Sequence, residues 1–207
     1  MIEILKRDGL SVDILRELSY HSQLGISLKN NLHYFDKEKL FRELVDVKDW
    51  YESCDMLHEL ALDYRVKSLQ SAMLKYHRYY PDCQARKVFD DLLGFRSLCD
   101  DYQEIQDLQG IPNFRLADMS AGKAIDDGYR GIHVYFQLNN SYYPIELQYN
   151  SFYDRQFNDW LHKYLYKKSV APDVGAELRR MYESAKIRNE TDFKEMMNYV
   201  LSGGKTY

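Results

Sequence analysis

One stretch limits the fold more than any other: Asp127 to Tyr149, DGYRGIHVYFQLNNSYYPIELQY. Its spacing predicts a β-hairpin. A Gly-Tyr-Arg turn leads into an apolar strand from Ile132 to Leu138, Asn139-Asn140-Ser141 reverses the chain, and a second strand returns from Tyr143 to Tyr149. Strand side chains alternate between faces, so Glu146 and Gln148 point the same way. A carboxylate and an amide projecting together, near Tyr129 and Arg130, look like a site rather than a surface.

The hairpin needs covering, and the rest of the chain supplies helices. Residues 1–63 read as helical, with apolar helix periods over Val12–Leu24, Lys37–Val47 and Asp46–Leu62. Asp36 is placed to cap the second of these. Ser68–Tyr80 is a helix stopped by Pro81. Gly94 lies in an apolar run that enters a strand at Phe95–Cys99. A short helix, Asp101–Leu108, ends at Gly110 and Pro112, and Phe114–Met119 reads as a strand. Met119–Asp127 is a small-residue loop, expected to be mobile. After the hairpin, helices are predicted over Asp154–Lys168, Pro172–Lys186 and Thr191–Leu201, then a Gly203-Gly204 tail. Helices, then strands alternating with helices, then helices give an α+β fold: a small mixed sheet flanked by N- and C-terminal helices. No boundary stands out, so a single domain is expected over 1–207.

Bulk composition excludes several classes. The 207 residues carry a net charge of −4, against a general nucleic-acid binder. Charge is uneven, however. Arg155, Lys163, Lys167, Lys168, Arg179, Arg180, Lys186 and Arg188 meet only Asp159, Asp173, Glu177 and Glu183, so 155–188 is either a phosphate-holding face or a solvated helix surface. Cys54, Cys83 and Cys99 lack paired spacing, which argues against a disulfide framework and a zinc site. The N-terminus is no signal peptide and no apolar run approaches a membrane span; a cytoplasmic protein without membrane attachment is expected. There is no P-loop, no G-x-G-x-x-G, no H-E-x-x-H and no nucleophile elbow.

Four segments remain. Arg65-Val66-Lys67-Ser68 sets two cations at a helix entry, suited to phosphate or to solvent. Lys75-Tyr76-His77-Arg78 ends that helix, where cations also offset its dipole. Asp91-Leu92-Leu93-Gly94-Phe95-Arg96 holds an acid in apolar context, which must be paired (with Arg96, for instance) or bind a metal. The fourth is the hairpin.

Together, these segments resemble the synthetase domain of the RelA/SpoT family. GYRGIH followed by ELQ resembles its GYRS-x-H and E-I-Q-I-R-T; RVKS, DLLGFR and His162 with Tyr166-Lys167 resemble three further motifs, in the same order. The resemblance covers roughly residues 63–168, between helices at 1–62 and 169–207, and the length is similar to that of the small alarmone synthetases, so neither a hydrolase half before nor a long regulatory half after is expected. It implies a nucleotidyltransferase-like fold and an enzyme that moves pyrophosphate from ATP to a ribose 3′-hydroxyl. It implies that Arg65 and Arg96 hold the adenine, with Ser68 beside them, and that Lys67 and Arg78 hold the phosphates. Asp91 and Glu146 would hold Mg²⁺, with Glu146 also taking the hydroxyl proton. Tyr129 would stack on the acceptor base, supported by Arg130, His133 and Gln148.

The departures from the family pattern lie on the acceptor side. Tyr149-Asn150-Ser151 replaces isoleucine, arginine and threonine, and Ile125-Asp126-Asp127 stands where a lysine is common. Two added acids would repel a 5′-polyphosphate by roughly 1 kcal/mol or more each if partly shielded. The resemblance therefore implies a toxic member acting on the 3′-terminal adenosine of tRNA, with Lys163, Lys167 and Lys168 on the acceptor stem and a protein antitoxin as partner. The alternatives are a (p)ppGpp or (p)ppApp synthetase acting on GDP/GTP or adenine nucleotides, and a non-catalytic binding module.

Overall fold

The computed structural model describes residues 2–166 and 171–203. Helices α1 (Glu3–Arg7), α2 (Val12–Glu17), α3 (Lys37–Glu52) and α4 (Asp55–Glu59) precede strand β1 (Asp63–Val66). Helices α5 (Leu69–Tyr79) and α6 (Ala85–Val88) lead to β2 (Leu93–Leu98), α7 (Gln103–Gln106), β3 (Phe114–Asp118), β4 (Ile132–Phe136) and β5 (Ile145–Asn150). Helices α8 (Phe152–Trp160), α9 (Pro172–Glu183) and α10 (Glu190–Leu201) follow, α8 running on through a π-helical turn at Leu161–Leu165. The five strands form one sheet in the order β1-β2-β5-β4-β3, so the fold is α+β with a mixed sheet flanked by helices.

The chain forms two compact units built from interleaved segments. The first comprises 1–97, 103–116 and 133–148 and holds most of the sheet; the second comprises 98–102, 117–132 and 149–207. Interleaving of this kind leaves no composition shift along the sequence. In the first unit, Leu15, Leu40, Leu44, Tyr51, Phe95, Val134, Phe136, Ile145 and Leu147 are buried. The second has its own core on α8, α9 and α10: Phe157, Trp160, Leu161, Leu178, Tyr182, Phe193 and Met197. Each such side chain contributes about 1.5–3 kcal/mol by leaving water.

The elements depart from the expected ones for local reasons. The helix expected over Val12–Leu24 ends at Glu17. Beyond it the backbone pairs with the hairpin instead: His21 bridges Tyr142, Ser22 N–H donates to the Ser141 carbonyl and Leu28 N–H to that of Asn140, both at 2.8 Å. The stretch read as helical to residue 63 runs into strand β1, paired antiparallel with β2. Strand β2 starts two residues early, at Leu93, because Gly94 fits inside it: a Cβ there would lie 3.3 Å from Glu146 Oε2. Asp36 does cap α3, accepting from Lys39 N–H at 2.9 Å. Helix α8 begins at Phe152, capped by Ser151, and the α-helical part stops at Trp160, so the predicted Asp154–Lys168 helix is displaced at both ends. Lys167 and Lys168 lie outside the described residues.

Candidate active site

In the first unit, Arg65, Lys67, Asp91, Gly94, Arg96, Glu146 and Gln148 line one small cleft of ≈ 40 Å³. The sheet explains the grouping. Arg65 pairs with Gly94 across the β1–β2 ladder, and Arg96 lies two residues further along the same face. Such diagonal neighbours sit about 7–8 Å apart, the gap that a flat ring fills between two guanidinium planes. Among the described residues neither arginine makes an ion pair, so both are available to a ligand.

The carboxylates are held by cations. Lys67 Nζ donates to Asp91 Oδ2 at 2.5 Å, and Lys75 Nζ reaches Asp91 Oδ1 at 3.1 Å and Asp90 Oδ1 at 3.0 Å. The expected Asp91–Arg96 pair is replaced by these two lysines. Burial pushes the Asp91 carboxyl up, but Lys75 and Lys67 outweigh it and hold it below the usual range. Burial wins at Asp90, whose carboxyl is raised despite Lys75.

Glu146 is 6% exposed. His133 Nδ1 donates to its Oε1 at 2.9 Å, which requires the proton on Nδ1, and Gln148 Nε2 donates to its Oε2 at 2.7 Å. Burial raises this carboxyl, the His133 bond more than offsets that, and it ends below its ordinary value. Glu146 is therefore ionised near neutral pH.

Asp91 and Glu146 offer hard oxygen donors in one cleft, and the Asp91 charge disfavours ionisation of Glu146. A divalent cation would relieve that repulsion, and Mg²⁺ takes few carboxylates beside phosphate oxygens and water. Among the described residues no group of three or more His, Cys, Asp or Glu could hold a metal. The two carboxylates fit Mg²⁺ bound together with phosphates.

Not every expected residue reaches the cleft. Ser68 caps α5, accepting from Ser71 N–H at 3.3 Å. Arg78, expected on the phosphates, does not line the cleft; the cation of that helix that meets the carboxylates is Lys75.

Tyr129 and Arg130 belong to the second unit, on the turn between β3 and β4. Asp126 Oδ1 accepts from Gly128 N–H at 2.9 Å, and Asp127 Oδ1 from Tyr129 N–H at 3.2 Å. Arg130 forks onto both Asp126 oxygens at 2.8 and 3.0 Å, and Lys123 pairs with Asp127 at 2.7 Å. Chiefly through the Arg130 hydrogen bond, the Asp126 carboxyl is held below its ordinary value. The two acids expected to repel phosphate are thus neutralised, and the two nearby cations are spent. The departures after Gln148 are also structural: Asn150 Nδ2 donates to the Arg130 carbonyl at 2.8 Å, and Ser151 caps α8. Lys163 is exposed and pairs with Glu190 at 2.7 Å. Arg179, counted on the basic face, is fully buried.

A larger cavity of the first unit, ≈ 290 Å³, shares no lining residue with the cleft; Arg86, Lys87, Arg115, Tyr135 and Gln137 are among its walls, and no acid is.

No family model matches the chain. No curated protein matches it either. Solved structures do. It is similar to the small alarmone synthetase 1 from Bacillus subtilis bound to its product pppGpp, with 21% identity, a TM-score of 0.46, and coverage of 82% of this chain and 92% of that one. The small alarmone synthetase 2 from Bacillus subtilis gives 21% identity and a TM-score of 0.43, covering 79% and 94%. A GTP pyrophosphokinase family protein from Streptococcus pneumoniae gives 16% and 0.41, covering 80% and 88%.

Proposed function

We propose that this chain is an ATP-dependent pyrophosphokinase that transfers the β,γ-pyrophosphate of ATP to a ribose 3′-hydroxyl. The observation that carries this reading is the cleft: two arginines without acid partners on one sheet face, beside Lys67 and the carboxylates Asp91 and Glu146. Arg65 and Arg96 would sandwich the adenine. Lys67 and Lys75 would exchange Asp91 for phosphate oxygens. Mg²⁺ on Asp91 and Glu146 would supply charge neutralisation on the transferred group. Glu146, ionised and oriented by His133, would take the proton of the 3′-hydroxyl as its oxygen bonds to the β-phosphorus. The bond from that phosphorus to the α,β-bridging oxygen breaks, and AMP leaves with the electron pair.

For the acceptor, the reading is the 3′-terminal adenosine of tRNA, which would make the chain a toxin that blocks aminoacylation and is held in check by an antitoxin protein. Support comes from the Tyr129 turn. Lys123 and Arg130 are both committed to Asp127 and Asp126, so the turn carries an aromatic ring without spare positive charge; Lys123 Nζ lies 5.0 Å over the Tyr129 ring, and a stacking base would take the place of that cation. A single-stranded 3′ end lacking a 5′-polyphosphate suits that surface. A second reading, a synthetase acting on GDP/GTP or an adenine nucleotide, is favoured by the ≈ 290 Å³ cavity. Arg86 and Lys87 would serve a nucleotide's phosphates, Arg115 being paired with Asp90 at 3.5 Å, and Tyr135 and Gln137 share the sheet face of His133.

Incubation with β,γ-labelled ATP and either GDP/GTP, ATP or deacylated tRNA decides between them. Label on tRNA is expected. Label on free nucleotides alone would sink the tRNA acceptor, and no transfer to any of them would remove the pyrophosphokinase reading itself.

A further inference from the structure

Beyond the residues that would touch substrate, we infer that Arg179 of α9, with Gly175 one turn before it, is a positioning residue: it sets the turn that carries Tyr129. The inference rests on Tyr129 facing the acceptor, as proposed above.

Arg179 is 0% exposed, and its whole fork is used within the second unit. Nε donates to the Gly128 carbonyl at 2.8 Å, Nη1 to Asp154 Oδ1 at 2.7 Å and Nη2 to Asn158 Oδ1 at 3.2 Å. Asn158 passes the hold onward. Its Oδ1 accepts from Arg130 N–H at 3.3 Å and its Nδ2 donates to the Arg130 carbonyl at 2.7 Å. The residues on either side of Tyr129 are therefore fixed by one buried arginine and the amide it orients. The guanidinium also lies 4.2 Å over the Phe157 ring, which fixes its plane.

Gly175 and Arg179 are four residues apart, so they share a helix face. That face presses on the same turn. A Cβ on Gly175 would stand 2.0 Å from the Asp127 carbonyl, and one on Gly128, at φ +86°, would stand 2.3 Å from the Gly175 carbonyl. Backbone meets backbone here without side chains between. Packing alone would be served by leucine, at no desolvation cost; a planar five-donor fork is needed only if the carbonyl of Gly128 must be held at a set angle.

The test uses Arg179→Lys and Gly175→Ala, each assayed for acceptor KM with tRNA and with GDP, for kcat, and for ATP dissociation constant. A fluorine label on the Tyr129 ring reads the turn directly. Misplacing the turn by an ångström is expected to raise acceptor KM about 10-fold to 100-fold, with ATP affinity within about twofold of wild type and a shifted fluorine signal. Arg179→Lys keeps the charge, so a fully wild-type KM and fluorine signal there would overturn the inference. So would a fall in kcat matched by a loss of folded protein with KM unchanged, which is the mark of a purely structural arginine. If Arg179→Lys does not fold, Gly175→Ala carries the same readouts. A shifted fluorine signal with no transfer in wild type would refute the proposed reaction but leave the positioning intact.

Discussion

The two compact units use carboxylate–cation pairs in opposite ways. In the first, Lys67 and Lys75 hold Asp91 with all three side chains 14–23% exposed at a cleft. In the second, Arg179 holds Asp154 with its own side chain 1% exposed. The partly wet pair can trade a carboxylate for a phosphate oxygen at little cost. The dry pair cannot, because an uncompensated buried charge costs several kcal/mol. What separates a binding site from a scaffold is therefore not the pair but its surroundings. Beside Asp91 stand two arginines that make no ion pair among the described residues; each nitrogen of Arg179 already donates, Nε to the Gly128 carbonyl of the turn and Nη1 and Nη2 to Asp154 and Asn158 of α8.

The largest effect should test the exchangeable side. Glu146→Gln keeps the shape and removes the charge, so pyrophosphate transfer should fall by about 10³-fold or more, with the fold retained. Initial rates with labelled ATP check this; a loss under about tenfold would make Glu146 another scaffold group. Next, the same truncation in each unit weighs the two pairs directly. Arg179→Met should lose about 3–5 kcal/mol in urea unfolding, since Asp154 loses its cation and keeps only the hydroxyls of Tyr102 and Ser151. Lys75→Met should lose about 1–2 kcal/mol, because Asp91 keeps Lys67 and both lie near water. Equal losses would erase the distinction.

The sequence made the hairpin legible, with Glu146 and Gln148 on one face, because a period of two and an Asx turn at Asn139 are local signals. Strand β1 was lost since four residues with half-exposed alternation resemble a helix end. Lys75 and Arg179 were misread for one shared reason. Lys75 lies three residues after buried Ala72 and beside Tyr76; Arg179 follows buried Leu178, three residues before Tyr182. A cation on the apolar stripe of a helix signals a buried partner, yet a charge count over 155–188 leaves Arg179 on a face, and a helix-end position leaves Lys75 to the dipole. Similarly, Asp126, Asp127 and Asn150 were read as acceptor chemistry, while the structure uses them to build the turn. Which polar group serves the backbone and which serves a ligand depends on contacts far apart in sequence, so no local pattern separates them.

A smaller effect comes from adjacent aspartates with opposite shifts. Asp91 is held below its ordinary value by lysines that outweigh burial, so its stabilisation is present above the usual carboxylate range and is lost as pH falls through its folded value. Asp90 is raised by burial, so the folded state takes up its proton first, and stability gains as pH falls through that raised value. Urea midpoints between pH 6 and pH 3 should show Asp91→Asn with a shallower acid loss and Asp90→Asn with a steeper one. Slopes of the same sign for both would mean that Lys75 and Lys67 do not favour Asp91 over its neighbour.

The smallest effect concerns the exposed pair Lys163–Glu190 on the surface of the second unit. Both groups are solvated, so stability should not register its loss. Lys163→Glu should nevertheless weaken tRNA modification and lower its salt slope by about 1 if that lysine meets a phosphate, while ATP affinity stays as it was. This pair is a third kind, neither exchangeable by design nor locked by burial. Its lysine is already engaged by Glu190, so any RNA contact must compete for it. An unchanged slope would leave Lys163 as ordinary helix surface, and its pair with Glu190 as one more solvated contact that serves neither a ligand nor the backbone.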